Sequence, residues 1–281
     1  MVILRHPARA VRIAAALRAA ELHPYALPLT DTELPADTGV LARELGVLGR
    51  GGHDWLVVTS ANAVRALEVV AQQQGLVLAE VVRAGGVRIA AVGAATAHRL
   101  AEAGMSATLL PDRASSSGLL EVFPPGPGAV LLPQADLAPE DLHVGLTRLG
   151  WTVRRIEAYR TVAFPADSTR ALPVVADDGP QPELLAPGDV LPLSRAGVHP
   201  AVVFLAPSAV VEFRAKLGSA LRFLPIAIGP TTAAALRTAG WEPAATATDP
   251  TPDGIARAVV EAVSRPPTFE PESGTSNGDQ S

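Results

Sequence analysis

Six short segments of this 281-residue chain group hydroxyl, glycine and proline residues as contacts to an anion would require. They are Thr59-Ser60-Ala61-Asn62, Gly93-Ala94-Ala95-Thr96, Ser115-Ser116-Ser117-Gly118, Ala206-Pro207-Ser208, Gly229-Pro230-Thr231-Thr232 and Thr251-Pro252-Asp253-Gly254. Each reads as a strand-to-helix turn or the start of the helix beyond it. Small residues let the main chain approach a ligand, and the first N–H groups of a helix lack intrahelical acceptors and attract negative charge. Hydroxyl capping of the helix is the simpler account of any single turn. Six such turns, divided between two halves of the chain, point instead to a large polyanion held in a cleft between two lobes. The two tyrosines, Tyr25 and Tyr159, add a phenol suited to donate a proton to a leaving oxygen, with amphipathic filling as the alternative.

Other chemistries lack their parts. There is no GxGxxG, P-loop or HExxH motif. The six histidines, at 6, 23, 53, 98, 143 and 199, have no ligand spacing, so no metal site is expected. Glu140-Asp141 and Asp177-Asp178 sit in polar or helix-opening contexts that suit solvation better than acid catalysis. Without cysteine there is neither a disulfide framework nor thiolate chemistry. A net charge of -5 gives no electrostatic footprint for nucleic acid. Lys216 is the only lysine; the arginine excess is compatible with carboxylate recognition but is explained as well by codon bias. Arg5, Arg9, Arg12 and Arg18 interrupt the N-terminal apolar stretch, and no run is long enough to span a membrane, so a cytoplasmic protein is expected.

The elements that must position these turns alternate regularly. "WLVVT" precedes "ANAVRALEVVAQQ", and "RIAAVG" precedes "ATAHRLAEAG", as in an α/β protein with a parallel sheet. Further strands are expected at 2–4, 25–29, 107–110, 130–132, 153–157, 202–205, 226–229 and 244–247. A shift of 136 residues superposes Gly93, Thr96, Leu100 and Gly104 on Gly229, Thr232, Leu236 and Gly240, and Gly118 on Gly254. "LVVTSANAVRAL" likewise resembles "VVFLAPSAVVEF". The second copy lacks two strands at its end, and the chain start supplies them. The expected fold is therefore α/β, with two doubly wound, flavodoxin-like parallel sheets, one domain inserted in the other. Residues 1–31 and 163–265 form the first and 32–162 the second. A proline-rich excursion at 166–200 and a polar tail at 266–281, expected to be disordered, offer no chemistry on this reading.

With these elements in place, "DWLVVTSANAVRAL", "AVGAATAHRLAEAG", "VLLPQADLAPEDLHVGLTRLGWTVRRIEAYRTV", "IAIGPTTAAALRTAG" and "DPTPDGIARAV" together resemble the uroporphyrinogen-III synthase family. The resemblance covers nearly everything except the excursion and the tail. It implies two α/β domains joined by a two-stranded ladder and a cofactor-free, monomeric lyase acting on hydroxymethylbilane, a linear tetrapyrrole octa-acid. In the family reaction hydroxide leaves as water, the azafulvene attacks the substituted carbon of ring D, and a spiro intermediate fragments and recloses with that ring inverted. Such catalysis is chiefly positioning. By motif match Tyr159 is the candidate acid. Thr59, Ser60, Asn62, Gly93, Ala94, Thr96, Ser208, Pro230, Thr231 and Thr232 are the candidate substrate contacts, more through amides than side chains. Leu205-Ala206 stands where the family commonly has hydroxyls. The competing reading keeps the two lobes and drops catalysis, leaving a small-anion sensor.

Overall fold

Short apolar strands covered by helices on both faces account for most of the chain. The computed structural model describes residues 1–190, 199–218 and 221–264. The tail at 266–281 and part of the excursion lie outside the described residues. Two compact units divide the rest. One, the interrupted unit, is built from Met1–Leu29 and the described residues from Val174 onward, and the other, the inserted unit, from Thr30–Pro173.

The interrupted unit holds six strands: Val2–Ile3 (β1), Tyr25–Ala26 (β2), Glu183–Leu184 (β8), Ala201–Phe204 (β9), Leu224–Ala227 (β10) and Ala245–Thr246 (β11). They pair in parallel in the order β11-β10-β9-β1-β2-β8. Without β8 this is the flavodoxin-like order, with β1 and β2 completing a sheet otherwise built about 200 residues later. The sheet is apolar on both sides, as helices on both faces demand. Val2, Val202 and Phe204 enter one core with Phe213 and Leu236, while Ile3, Val203 and Ile226 enter another with Leu17 and Val259.

The inserted unit orders Thr30–Glu33 (β3), Thr152–Ala163 (β7), Ala129–Ala135 (β6), Trp55–Val58 (β4) and Arg88–Ala91 (β5) across one sheet. All neighbours are parallel except β3 and β7, an antiparallel ladder with Thr30 opposite Ala163 and Glu33 opposite Arg160. Helix Ala61–Gln73 shows how the sequence builds such an element. Ser60 caps it by accepting from the Ala63 N–H at 3.2 Å, and Ala63, Val64, Ala66, Leu67, Val70 and Ala71 form its buried stripe. Beyond Gln74, Gly75 turns the chain at a φ of 70°. The segment Ala166–Leu172 stays with this unit because Arg170 pairs with Glu33 at 3.1 Å and the Leu172 N–H donates to the Thr32 carbonyl at 2.9 Å.

The structure departs from the expected strands in three places. Residues 107–110 supply only an isolated bridge, Ala90 to Leu109, and β3 and β8 are additional. The polar "TDTE" of β3 lacks an apolar alternation, and β8 is an exposed two-residue edge. Within the proline-rich excursion, Asp177 lies 3.4 Å from Arg12. Among the described residues no helix is long and apolar enough to cross a membrane.

Candidate functional site

In open α/β sheets ligands bind beyond the carboxyl ends of the strands, where five of the six turns lie, the sixth, at Ser115, following the isolated bridge at Leu109. The turns divide into two kinds. Ser60, Ser115 and Thr251 cap their helices, accepting from the N–H groups of Ala63, Gly118 and Gly254 at 3.2, 3.0 and 3.1 Å. Capping accounts for those hydroxyls. Gly93, Ala206 and Gly229 cap their helices without a side-chain hydrogen bond. Ala94 and Ala95 are exposed after Gly93, Pro207 and Ser208 after Ala206, and Pro230 and Thr231 after Gly229. These three helix starts retain free donors and positive dipole ends for an anion. Proline at the first position of two of them removes a donor that has no intrahelical role.

Thr96 and Thr232 are buried, at 5% and 3% exposure, and the Thr96 N–H donates to the Gly93 carbonyl at 3.0 Å, so the exposed positions of these two turns are those just before them. Thr59, Ser60 and Asn62 are half-buried at the end of β4, and Asn62 accepts from Arg65 at 2.9 Å.

Tyr159 reaches this end of the inserted unit through a defect in the sheet. Along a regular strand it would face away from Ile156 and Ala158. The pairing of β6 with β7 slips between Gln134 and Ala135, so that Gln134 is opposite Glu157 and Ala135 opposite Tyr159. That bulge turns Tyr159 onto the same core as Ile156 and Ala158. There Ser60 Oγ donates to the phenol oxygen at 3.0 Å. Ser60 thereby links a helix cap to the phenol, and the phenol's own proton stays available for another acceptor. The sequence placed Ser60 and Tyr159 in one site by motif alone; the bulge that joins them has no signal in residue types. Tyr25, in β2, makes a tilted ring contact with His23 at 6.4 Å and has no comparable hydroxyl partner among the described residues.

A basic cluster escapes sequence reasoning. Arg5, Arg9 and Arg12 surround a cavity in the interrupted unit together with Asp177. Their spacing on a turn and a helix start is visible in the sequence, but their counterpart in the excursion is not.

Comparison with known proteins agrees with this architecture. Residues 11–257 match the family model described as uroporphyrinogen-III synthase HemD. A mutant uroporphyrinogen III synthase from the extremely thermophilic bacterium Thermus thermophilus is similar over 94% of this chain and 98% of its own, at 22% identity and a TM-score of 0.60. The uroporphyrinogen-III synthetase of Helicobacter pylori 26695 is similar over 92% and 97%, at 15% identity and a TM-score of 0.55. At these identities the likeness is one of fold. No curated protein matches the chain significantly.

Proposed function

Because the chain belongs to the uroporphyrinogen-III synthase family, we propose that it cyclises hydroxymethylbilane to uroporphyrinogen III, with loss of water and inversion of ring D. The family match over residues 11–257, which spans both units, carries this reading. The helix starts at Gly93, Ala206 and Gly229 support it, since an octa-acid needs many donors and few counter-charges. Left alone, the bilane closes without inversion. The protein must therefore bring the electrophilic carbon to the more crowded position, which is work for fixed amides.

In this reading Tyr159 donates the proton that lets hydroxide leave as water, and Ser60 holds the phenol in place. Thr59, Asn62, Gly93, Ala94, Thr96, Ser208, Pro230, Thr231 and Thr232 contact substrate, chiefly through main chain. The enzyme is a cytoplasmic monomer that needs no cofactor. Isomer analysis of the macrocycle formed from synthetic hydroxymethylbilane tests the function: the type III isomer is expected with the protein present, and type I alone overturns the reading. A non-catalytic anion sensor would give the second result.

A further inference from the structure

Beyond the ends of β1, β10 and β11 the interrupted unit contains a cavity of about 260 Å³. Arg5, Arg9, Arg12 and Asp177 form its polar lining, and Ile228 and Ile255 an apolar wall. Arg5 lies just beyond β1, Arg9 ends the 3-10 turn Pro7–Arg9, and Arg12 lies in the first turn of helix Val11–Ala19. Spacings of four and three residues thus bring three guanidinium groups to one rim.

Only Arg12 has a carboxylate partner there, Asp177 at 3.4 Å. Among the described residues Arg5 and Arg9 make no side-chain hydrogen bond or ion pair. Arg5 is half-buried, and this burial, followed by the charge of Arg9, holds its guanidinium below its ordinary value while Asp177 acts in the opposite direction. Three cations facing one carboxylate leave an excess that an incoming anion neutralises, and partial burial strengthens the attraction. Asp177 is anchored in the excursion: its N–H donates to the Ala8 carbonyl at 2.8 Å, and Arg18 holds the carbonyls of Pro180 and Gln181 at 2.9 and 3.1 Å. The rim therefore already accommodates a carboxylate.

We propose that this cavity is a carboxylate-binding subsite in which Arg5 and Arg9 receive a carboxylate of the substrate, while Asp177 competes for Arg12 as a built-in stand-in. The assignment to substrate rests on the proposed reaction with an octa-acid. A carboxylate fits better than a phosphate because the group already seated on the rim is itself a carboxylate, and a guanidinium fork binds one through paired N–H groups.

Two measurements on the full chain test this. The first is calorimetric titration with propane-1,2,3-tricarboxylate, which needs no turnover. Arg9→Gln should weaken binding about tenfold, and Asp177→Asn should tighten it several-fold. The second is the initial rate with hydroxymethylbilane, where Arg9→Gln should raise KM about tenfold with a much smaller change in kcat. Arg9 is exposed, so its replacement tests the subsite without endangering the fold. The proposal is overturned if the tricarboxylate does not bind, if Arg9→Gln leaves both measurements unchanged, if Asp177→Asn weakens binding, or if inorganic phosphate binds more tightly than the tricarboxylate. Should the wild-type protein give only the type I isomer, the reaction assigned above fails, and the titration alone decides the subsite.

Discussion

The two units repeat one backbone and differ in the side chains mounted on it. Gly118 and Gly254 are both buried against a carbonyl, of Arg113 in one unit and Asp249 in the other, leaving only 2.2 and 2.3 Å for an added Cβ. Ser115 and Thr251 cap the corresponding helices, and Leu100 and Leu236 are both fully buried. Gly104 and Gly240 turn the chain at φ values of 74° and 85°, followed by matching N–H bonds from Met105 to Leu100 and from Trp241 to Leu236, each 2.9 Å. Where backbone geometry restricts the choice, the copies agree. They part where chemistry is possible: Ser60 caps and holds Tyr159 in the inserted unit, its counterpart Ala206 does neither, and the arginine rim lies in the interrupted unit. The scaffold occurs twice, and the proposed acid and the proposed charge-binding rim sit on different copies.

The strongest way to break the comparison is to add the missing Cβ. Gly118→Ala and Gly254→Ala should each cost about 3 kcal/mol, because the obstacle is a backbone carbonyl that cannot rotate away. Denaturation followed through Trp55 and Trp151 for one unit and Trp241 for the other should find equal losses; unequal ones would show that the two sites are not equivalent. Next in size, Tyr159→Phe should lower kcat about 100-fold while product affinity hardly changes. Equal effects on both, or none, would remove the proton donor from the inserted unit. Ser60→Ala should destabilise the inserted unit by about 1 kcal/mol, and Ala206→Ser should stabilise the interrupted one by a similar amount. Failure of the second change would mean that the open end there resists capping.

A smaller effect should come from acid. Glu44, against Arg154 at 2.8 Å and His53 at 3.0 Å, is pushed up by burial, but these two hydrogen bonds and charges bring it below its ordinary 4.5. A lowered folded value stabilises the protein above the unfolded one, and the gain is lost as pH falls from 4.5 through the lower value. Urea midpoints of the inserted unit should drop over that range, and Glu44→Gln should flatten the profile. Smallest of all, Thr96→Ala and Thr232→Ala should change kcat/KM by less than about twofold, since buried hydroxyls are not what the turns present. A complete loss would reinstate the side chains.

Regular spacing made much of this legible. The 136-residue register announced the paired helices, and β-branched runs announced the buried strands. What escaped was set by tertiary context. The bulge that turns Tyr159 toward Ser60 depends on how β6 and β7 slide past each other, and the short polar strand β3 exists only because β7 extends beyond the sheet to pair with it. Arg5, Arg9 and Arg12 could be seen as interruptions of an apolar stretch, but their role depends on Asp177, more than 160 residues away.

The sheet order also has a consequence for synthesis on the ribosome. All strands of the inserted unit have been made by residue 163, whereas Val2 and Ile3 must await Val202 and Val203, roughly forty residues later. For an interval on the order of seconds β1 lacks its β9 partner while the inserted unit can already fold. An early strand is thus among the last to find its place.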